Sequence, residues 1–291
     1  MATRLTPHGL AAGTPERHPR AAMDIGWLRH LLESIGSFSP DLIFNRGAAT
    51  PIHHYTDLGG LKGIVENSDL WLTNSRYSND DEELLHGLGV VREVIVEQLA
   101  GPNGPLRRPY LEEVLALLEA PSPEGVYICC FCESSNLLSQ WRGYGANGTG
   151  VCIAFDPKGF DFITGPDSPT RGLMRLWSVF YPRETQRRIV HQALDFHFML
   201  NMPPAEQARL AADALLFFVP TFKNADFAEE QELRLVFTPE PDFASQPEFR
   251  VARGMLTPYY SLQSLAAAPA PRRLPITSVL IGPSKNKAVN F

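Results

Sequence analysis

Residues 227–237 restrict the fold of this chain most, because their charged and apolar side chains alternate at a period of two. A β-strand directs successive side chains to opposite faces. One face of this segment would carry Glu230, Glu232 and Arg234. The other face would carry the apolar residues Leu233, Leu235 and Phe237. The segment is therefore predicted to be a strand that buries one face and presents carboxylates on the other.

Two interpretations of the charged face remain open. Antiparallel sheets often expose one polar face to water, and an edge strand of this kind would have solvated charges. In an active site, one carboxylate would stay ionised against a developing positive charge while the other handles a proton. Two glutamates two residues apart, followed by an arginine, fit both interpretations.

Length and composition predict one folded domain behind a tail. The chain has 291 residues, of which 44% are hydrophobic and 20% are charged, so it can bury a sizeable core. Residues 1–22 mix Pro, Arg, Gly, Ala and Thr without periodicity, and they are predicted to form a flexible N-terminal tail. Residues 23–291 are predicted to form a single α+β domain.

Charge and hydropathy narrow the classes of partner. The net charge of -6 and the pI near 5.8 argue against broad electrostatic wrapping of nucleic acid. The sequence contains no apolar run near the ~20 residues that span a membrane, and no apolar signal core follows the basic N-terminus. A cytoplasmic protein without a membrane partner is expected.

The cysteines predict buried thiols rather than a metal site. Three of them lie in the apolar run Val126–Cys132, and the fourth is Cys152. Zinc sites usually pair cysteines two to four residues apart with a second such pair or with histidines, and this run lacks that arrangement. Reduced thiols without metal, in a core strand, are expected.

The order of periodic segments predicts an α+β fold. Helical spacing occurs near residues 25–35, 58–65, 80–100, 111–118 and 183–219, with a break at Pro203-Pro204. Strand patterns occur near residues 52–56, 70–73, 126–132, 150–155, 173–181, 230–237, 249–260 and 275–281. Strands and helices do not alternate regularly, which argues against a doubly wound parallel sheet.

Eight short motifs follow one another from about residue 51 onward. They are His54-Tyr55-Thr56, Leu70–Asn74, Asn79-Asp80 with Glu82 or Glu83, Cys130–Cys132, Leu138–Tyr144, Gly150–Phe155, Phe227 with Glu230–Arg234, and Ile281–Pro283. In this order they resemble a bacterial family of proteins of unknown function, DUF2971.

The same pattern resembles the ADP-ribosyltransferase superfamily more distantly. A His-x-Thr on the first strand, an aromatic and polar cluster in the middle and a Glu-x-Glu on a late strand carry this resemblance. It implies a split, mixed β core of ADP-ribosyltransferase-like type with surrounding helices, which binds nicotinamide adenine dinucleotide (NAD).

This resemblance implies cofactor-binding roles for two parts of the chain. His54 would hydrogen-bond a ribose of NAD, on either the adenosine or the nicotinamide side, with Tyr55 and Thr56 beside it. Tyr77 or Tyr144 would stack on the nicotinamide, and the sequence leaves both open. His54 and Glu232 are expected to lie in one cleft.

The glutamates would complete the catalytic set with His54. Glu232 would accept a hydrogen bond from the ribose 2′-hydroxyl and stabilise the oxocarbenium-like centre, while Glu230 would orient or deprotonate the acceptor. Arg142 and Arg234 would bind the pyrophosphate or clamp the glutamates.

Three functions follow from these patterns. The first is transfer of ADP-ribose from NAD to an unknown protein or nucleic-acid acceptor, as expected of a bacterial toxin or an anti-phage effector. The second is a non-catalytic module for nucleotide binding or interaction. The third is a metal-dependent nuclease that would use the run Asp80–Glu83. That acidic run also suits a helix N-terminus, where negative side chains favour the helix dipole.

Overall fold

The computed structural model describes residues 51–77, 81–119, 125–160, 172–239, 245–252, 254–265 and 273–283. Three sequence predictions lie outside these residues: the tail at 1–22, the helix near 25–35 and the motif Asn79-Asp80.

The described residues form helices and strands in mixed order. The strands are β1 (Ile52–Thr56), β2 (Trp71–Asn74), β3 (Tyr127–Cys132), β4 (Val151–Phe155), β5 (Gly172–Ser178), β6 (Glu232–Pro239), β7 (Glu248–Ala252), β8 (Met255–Ser261) and β9 (Ile276–Ile281). The α-helices are α1 (Leu58–Asn67), α2 (Asp81–Ala100), α3 (Gly104–Glu119), α4 (Leu138–Gly143), α5 (Arg183–Phe198), α6 (Pro204–Phe218) and α7 (Leu262–Leu265). Within the described ranges, none of these helices is both long and apolar enough to cross a membrane.

The α+β class is confirmed, and the expected mixed sheet is corrected. The strands form one sheet in the order β7-β8-β2-β3-β1-β4-β9, with β6 and β5 joined to it through β3. Every pairing between these strands is antiparallel. Parallel neighbours require a crossover that returns the chain in the same direction. Here the connections bring neighbouring strands back in opposite directions.

Strand β3 is where the sheet divides. One of its edges pairs with β6 over all six residues, from Tyr127 to Cys132. Its other edge pairs with β2 at Tyr127 and Ile128, and with β1 at Cys132. Residues Cys129–Phe131 lie between these two pairings, so β1 and β2 diverge from each other along β3. We call the opening between β1 and β2 the split.

The two faces of the sheet have different chemistry. We call the face that carries Glu232 and Arg234 the charged face, and the face that carries Leu233 and Leu235 the apolar face. Helices α2, α3, α5 and α6 pack against the charged face through a cluster that includes Ile128. On the apolar face, a second cluster contains Phe131, Phe155, Phe160, Leu233, Leu235, Phe237 and Tyr260, and Leu61 and Ile64 of α1 pack against it.

Strand β6 corrects two expectations about the segment 227–237. It lies between β3 and β5, and seven of its eight residues are buried, so it is not a solvated edge strand. It begins at Glu232, because residues Ala225–Glu230 form a 3-10 helix whose start is capped by the Asn224 side chain. Gln231 has a φ of 45°, a left-handed conformation that ends this helix. Glu230 therefore precedes the strand.

Residues 138–143 form the short helix α4 beside the sheet. The Trp141 indole donates a hydrogen bond to the Asn136 side chain at 3.0 Å and packs edge-on against Tyr55. These contacts fix the short helix beside the end of β1. Arg142 projects from it as an exposed side chain.

Gly150 provides a test of the close packing beside the split. A Cβ atom at this position would lie 2.3 Å from the Thr56 carbonyl oxygen and 3.0 Å from the Gly145 carbonyl carbon. Backbone atoms cannot move aside as a flexible side chain does, so Gly150→Ala should lower the free energy of unfolding by about 1–3 kcal/mol. Chemical denaturation measures this loss.

Gly143→Ala is the matched control, since a Cβ atom there would meet no atom within 4 Å. It should leave the free energy of unfolding unchanged or raise it by up to about 1 kcal/mol, because alanine favours a helix more than glycine does. Equal effects of the two substitutions would contradict the packing described for Gly150.

Candidate functional site

A cavity of about 870 Å³ lies at the split. Its walls include eight of the nine residues predicted from the sequence, namely His54, Tyr55, Thr56, Tyr77, Tyr144, Glu230, Glu232 and Arg234. Arg142 does not line it. Small-molecule and cofactor sites commonly have volumes of about 300–1,000 Å³. The split thus brings together residues that are far apart in the sequence, in a space of ligand size.

The register shows that His54 and Glu232, two of the three predicted catalytic residues, enter this cavity from opposite faces of the sheet. His53 pairs with Cys132, and Cys132 pairs with Glu232, so these three side chains share the charged face. His54 therefore projects to the apolar face, where its ring packs edge-on against Phe131. His54 and Glu232 line the same cavity because β1 and β2 diverge. The histidine on the same face as Glu232 is His53.

His54 is held as a neutral acceptor. Its Nδ1 atom lies 2.8 Å from the Cys130 carbonyl oxygen, which can only accept, so Nδ1 carries the proton. Burial lowers the pKa of His54, although the bond to Cys130 opposes this shift. A neutral imidazole with a proton on Nδ1 has an acceptor at Nε2. Such an atom can receive a hydrogen bond from a hydroxyl group.

Four charged side chains form a buried network on the charged face. Arg234 binds Glu232 through two parallel bonds of 2.8 Å, from Nε and Nη2. Lys223 connects the two glutamates, with Nζ at 2.8 Å from Glu230 and 3.1 Å from Glu232. Arg234 also donates to the Pro220 carbonyl oxygen. Two cations and two carboxylates leave this network without net charge.

Glu232 has its acceptor capacity filled by the protein. A carboxylate offers about four acceptor positions. Arg234 takes two of them and Lys223 takes a third, while the Cys130 thiol also hydrogen-bonds this carboxylate. Burial alone would raise the pKa of Glu232, but Arg234 and Lys223 hold it below its usual value. Glu232 is therefore ionised and firmly bound.

Glu230 differs from Glu232 in its hydrogen bonding. Among the described residues, its carboxylate binds Lys223. Its side chain is 14% exposed, compared with 8% for Glu232. Glu230 therefore retains acceptor positions that a ligand could use, whereas a ligand would have to displace a donor from Glu232.

The aromatic side chains of the site separate into two positions. Tyr144 lies near the glutamates in the cavity wall. Burial and the nearby Cys130 and Glu232 therefore raise its pKa to about 12. Tyr77 follows β2 and lies close to Tyr127. Both rings are partly exposed, at 42% for Tyr144 and 41% for Tyr77.

Tyr55 supports the wall of the cavity through its hydroxyl group. That group donates to the Ser134 carbonyl oxygen at 2.8 Å and accepts from the Leu137 backbone N–H at 3.0 Å. Tyr55 therefore fixes the loop between β3 and α4.

The cysteines are free thiols, as predicted. Burial raises the pKa of Cys129 to about 12 and that of Cys132 to about 11, so both are protonated at neutral pH. Among the described residues, His, Cys, Asp and Glu side chains form no cluster that could hold a metal ion. Asp80 and the side chains of Asp81–Glu83, which the nuclease hypothesis requires, lie outside the described residues.

Sequence reasoning missed three residues of the site. Lys223 lies seven residues before Glu230, a separation that indicates neither a helix nor a strand contact. Arg250 and Trp71 line the cavity from β7 and β2, although Trp71 was noted only as part of a family motif. The alternation of residues 248–252 could have placed Arg250 on a defined face, but it could not have located the cavity.

Substitution of Lys223 tests whether the pairing of charges in this network stabilises the protein. Lys223→Met would leave two buried carboxylates with Arg234 as their remaining cation in this network. Removing one partner from a buried ion pair typically costs about 3–5 kcal/mol. The free energy of unfolding from urea denaturation should fall by about this amount.

Lys62→Met is the control, because Lys62 forms an exposed pair with Glu66. Exposed pairs contribute about 0–1 kcal/mol. A loss for Lys223→Met no greater than that for Lys62→Met would contradict the buried network.

The depressed pKa of Glu232 predicts a specific loss of stability in acid. An unfolded glutamate titrates near ~4.3, so the unfolded state binds more protons than the native state between that pH and the lower native pKa. The stability that Glu232 contributes is therefore present above about pH 5 and is lost as the pH falls through the native pKa. The slope from this carboxyl approaches about 1.4 kcal/mol per pH unit.

The double variant Glu232→Gln with Lys223→Gln removes one acid and one cation. The network then keeps Glu230 and Arg234, whose charges sum to zero. Urea unfolding between pH 3 and pH 7 measures the free energy of unfolding at each pH. This free energy should fall less steeply with decreasing pH in the variant than in the wild type. Equal slopes would show that Glu232 is not held below its usual pKa.

Comparison with known proteins finds a match between one family model and part of the chain. Residues 140–235 match the family model described as "Protein of unknown function (DUF2971)". This confirms the predicted family resemblance over about a third of the chain, a segment that includes Tyr144, Lys223, Glu230, Glu232 and Arg234. No curated protein and no solved structure matches the chain.

Proposed function

We propose that this chain, which carries a DUF2971 family segment at residues 140–235, binds NAD in the cavity at the split and transfers its ADP-ribose to a macromolecular acceptor. The observation that carries the proposal is the convergence of His54, Tyr144, Glu230 and Glu232 on one cavity, which is large enough for a nucleotide. NAD is consumed in this reaction, so it is a substrate.

The chemistry requires negative charge near the nicotinamide ribose. Cleavage breaks the bond between the ribose C1′ and the nicotinamide nitrogen, and the electron pair leaves with neutral nicotinamide. Positive charge then develops at C1′ until the acceptor forms a new bond there and loses its proton. A fixed carboxylate in a site sheltered from water stabilises this charge more in the transition state than in the ground state.

We propose roles for the two glutamates that differ from those expected, on the basis of their hydrogen bonds. We assign the contact with the ribose to Glu230, because it keeps acceptor positions that Glu232 lacks. Glu232 holds Lys223 and Arg234 in place. Arg234 thus clamps a glutamate, which was one of the two roles considered for it.

His54 and Tyr144 are suited to orient the substrate. The Nε2 atom of neutral His54 would accept a hydrogen bond from a ribose hydroxyl. Tyr144 is the better candidate of the two tyrosines for stacking on nicotinamide, since it lies near the carboxylates and its ring is partly exposed.

A non-catalytic nucleotide-binding module is the second candidate. The saturation of Glu232 favours it, because a carboxylate with all its acceptor positions filled contributes to stability without contacting a ligand. Such a module would bind NAD saturably without releasing nicotinamide.

Glu230→Gln tests the catalytic proposal. It keeps the size of the side chain and removes the charge that would face C1′, so nicotinamide release should fall by about 10²–10³-fold. The measurement is nicotinamide release from NAD by the purified wild-type and variant proteins, with and without cell extract as the source of acceptor.

Glu229→Gln is the matched control, because the neighbouring Glu229 is exposed and does not line the cavity. Its rate should equal that of the wild type. An unchanged rate in folded Glu230→Gln would contradict the assigned role. Saturable NAD binding by the wild type without any nicotinamide release would favour the binding module.

A further inference from the structure

Arg250 is a cation of the cavity that the glutamate network does not use. It lies on β7 opposite Thr257 of β8, and Thr73 of β2 lies opposite Tyr259 of the same strand. Arg250, Thr73 and Trp71 line the part of the cavity wall that these three strands form. This part of the wall lies on the charged face of the sheet, because Thr73 also pairs with Ile128.

Two contacts hold the guanidinium group of Arg250 in place. Its Nη2 atom donates to the Thr73 hydroxyl oxygen at 2.9 Å. Its central carbon lies 5.2 Å from the ring centroid of Trp71, within the range of a cation–π contact. Trp71 in turn packs against Tyr259, with 4.5 Å between the ring centroids. The guanidinium is therefore supported by an aromatic surface.

Arg250 has little compensation for its charge. An arginine can donate five hydrogen bonds, and Arg250 donates one among the described residues. Its Nε atom is buried without a partner in these residues. Burial also lowers the pKa of Arg250. Arg250 is half-buried, and a cation withdrawn from water in this way is stabilised by a carboxylate or another anion beside it.

The neighbouring acids are engaged elsewhere. Glu248 accepts a hydrogen bond from the Tyr259 hydroxyl at 2.9 Å, and Asp69 accepts one from the Gln263 backbone N–H at 3.0 Å. Within the described ranges, Arg250 has no carboxylate at ion-pair distance, whereas Arg234 has two bonds to Glu232. Arg250 thus lines the cavity as a preorganised cation without a matching anion.

We propose that Arg250, positioned by Thr73 and Trp71, binds the phosphate groups of the cavity's ligand. A guanidinium group matches phosphate oxygens through parallel hydrogen bonds. The ligand class is then a phosphorylated compound, and a nucleoside without phosphate would lack this contact. The identification of that compound as a nucleotide rests on the function proposed above, whereas the anion site itself does not.

The test compares ligands with and without phosphate. Isothermal titration calorimetry would measure binding of ADP, adenosine and inorganic pyrophosphate to the wild type and to Arg250→Gln. ADP should bind about 10–100-fold more weakly to the variant, as expected for loss of hydrogen bonds to a charged group. Adenosine should bind both proteins equally, and pyrophosphate binding should be lost in the variant.

Two further variants distinguish the contact between Arg250 and phosphate from the effect of removing any positive charge from the protein. Arg250→Lys keeps the charge without the planar fork, so its affinity for ADP should be intermediate, and it also serves if Arg250→Gln does not fold. Arg108→Gln removes an exposed arginine that pairs with Glu112 on α3, and it should bind ADP as the wild type does.

The outcomes distinguish this inference from the proposed function. ADP and pyrophosphate binding that depends on Arg250 supports the anion site even if NAD is never cleaved. Equal ADP affinity in the wild type and both Arg250 variants overturns it. It is also overturned if neither ADP nor pyrophosphate binds the wild type, or if Arg108→Gln weakens ADP binding as much as Arg250→Gln does.

Discussion

The hydrogen bonding of β3 determines the shape of the site. A strand has two edges, and β6 occupies one edge of β3 along its whole length. The other edge is divided between β2 and β1, and neither strand reaches the carbonyl oxygen of Cys130. Because buried backbone carbonyls require a donor, the His54 side chain takes the place of a strand there. The cavity and the orientation of His54 therefore have the same origin.

The buried charges impose a second constraint. Glu232 and Arg234 occupy an interior strand, where unpaired charges would be strongly unfavourable. Lys223 supplies the cation that the second glutamate needs, and it comes from the segment after α6. The helical layer is thus tied to the sheet at the cavity wall. The same pairing that stabilises the protein also limits which carboxylate a ligand can contact.

Much of the fold could be predicted from the sequence, but the residues that form the site could be predicted only in part. Helix and strand periods located α2 and β4 because each buries apolar side chains, α2 in the cluster on the charged face and β4 in the cluster on the apolar face. The start of β6 could not be predicted, since it depends on the left-handed conformation of Gln231. The roles of Lys223 and Arg250 depend on contacts between distant segments, which no local period encodes. The proposed choice of Tyr144 over Tyr77 rests on the same kind of contact.

Two adjacent histidines of β1 occupy opposite faces of the sheet, so the register of β1 decides which of them lies on each face. Successive residues of a strand point in opposite directions, so His53 belongs to the side of Glu232 while His54 reaches the Cys130 carbonyl from the other side. A slip of β1 by one residue against β4 would move each histidine to the opposite face. The pairing between β1 and β4 is therefore a determinant of the site, although the residues of β4 do not line the cavity.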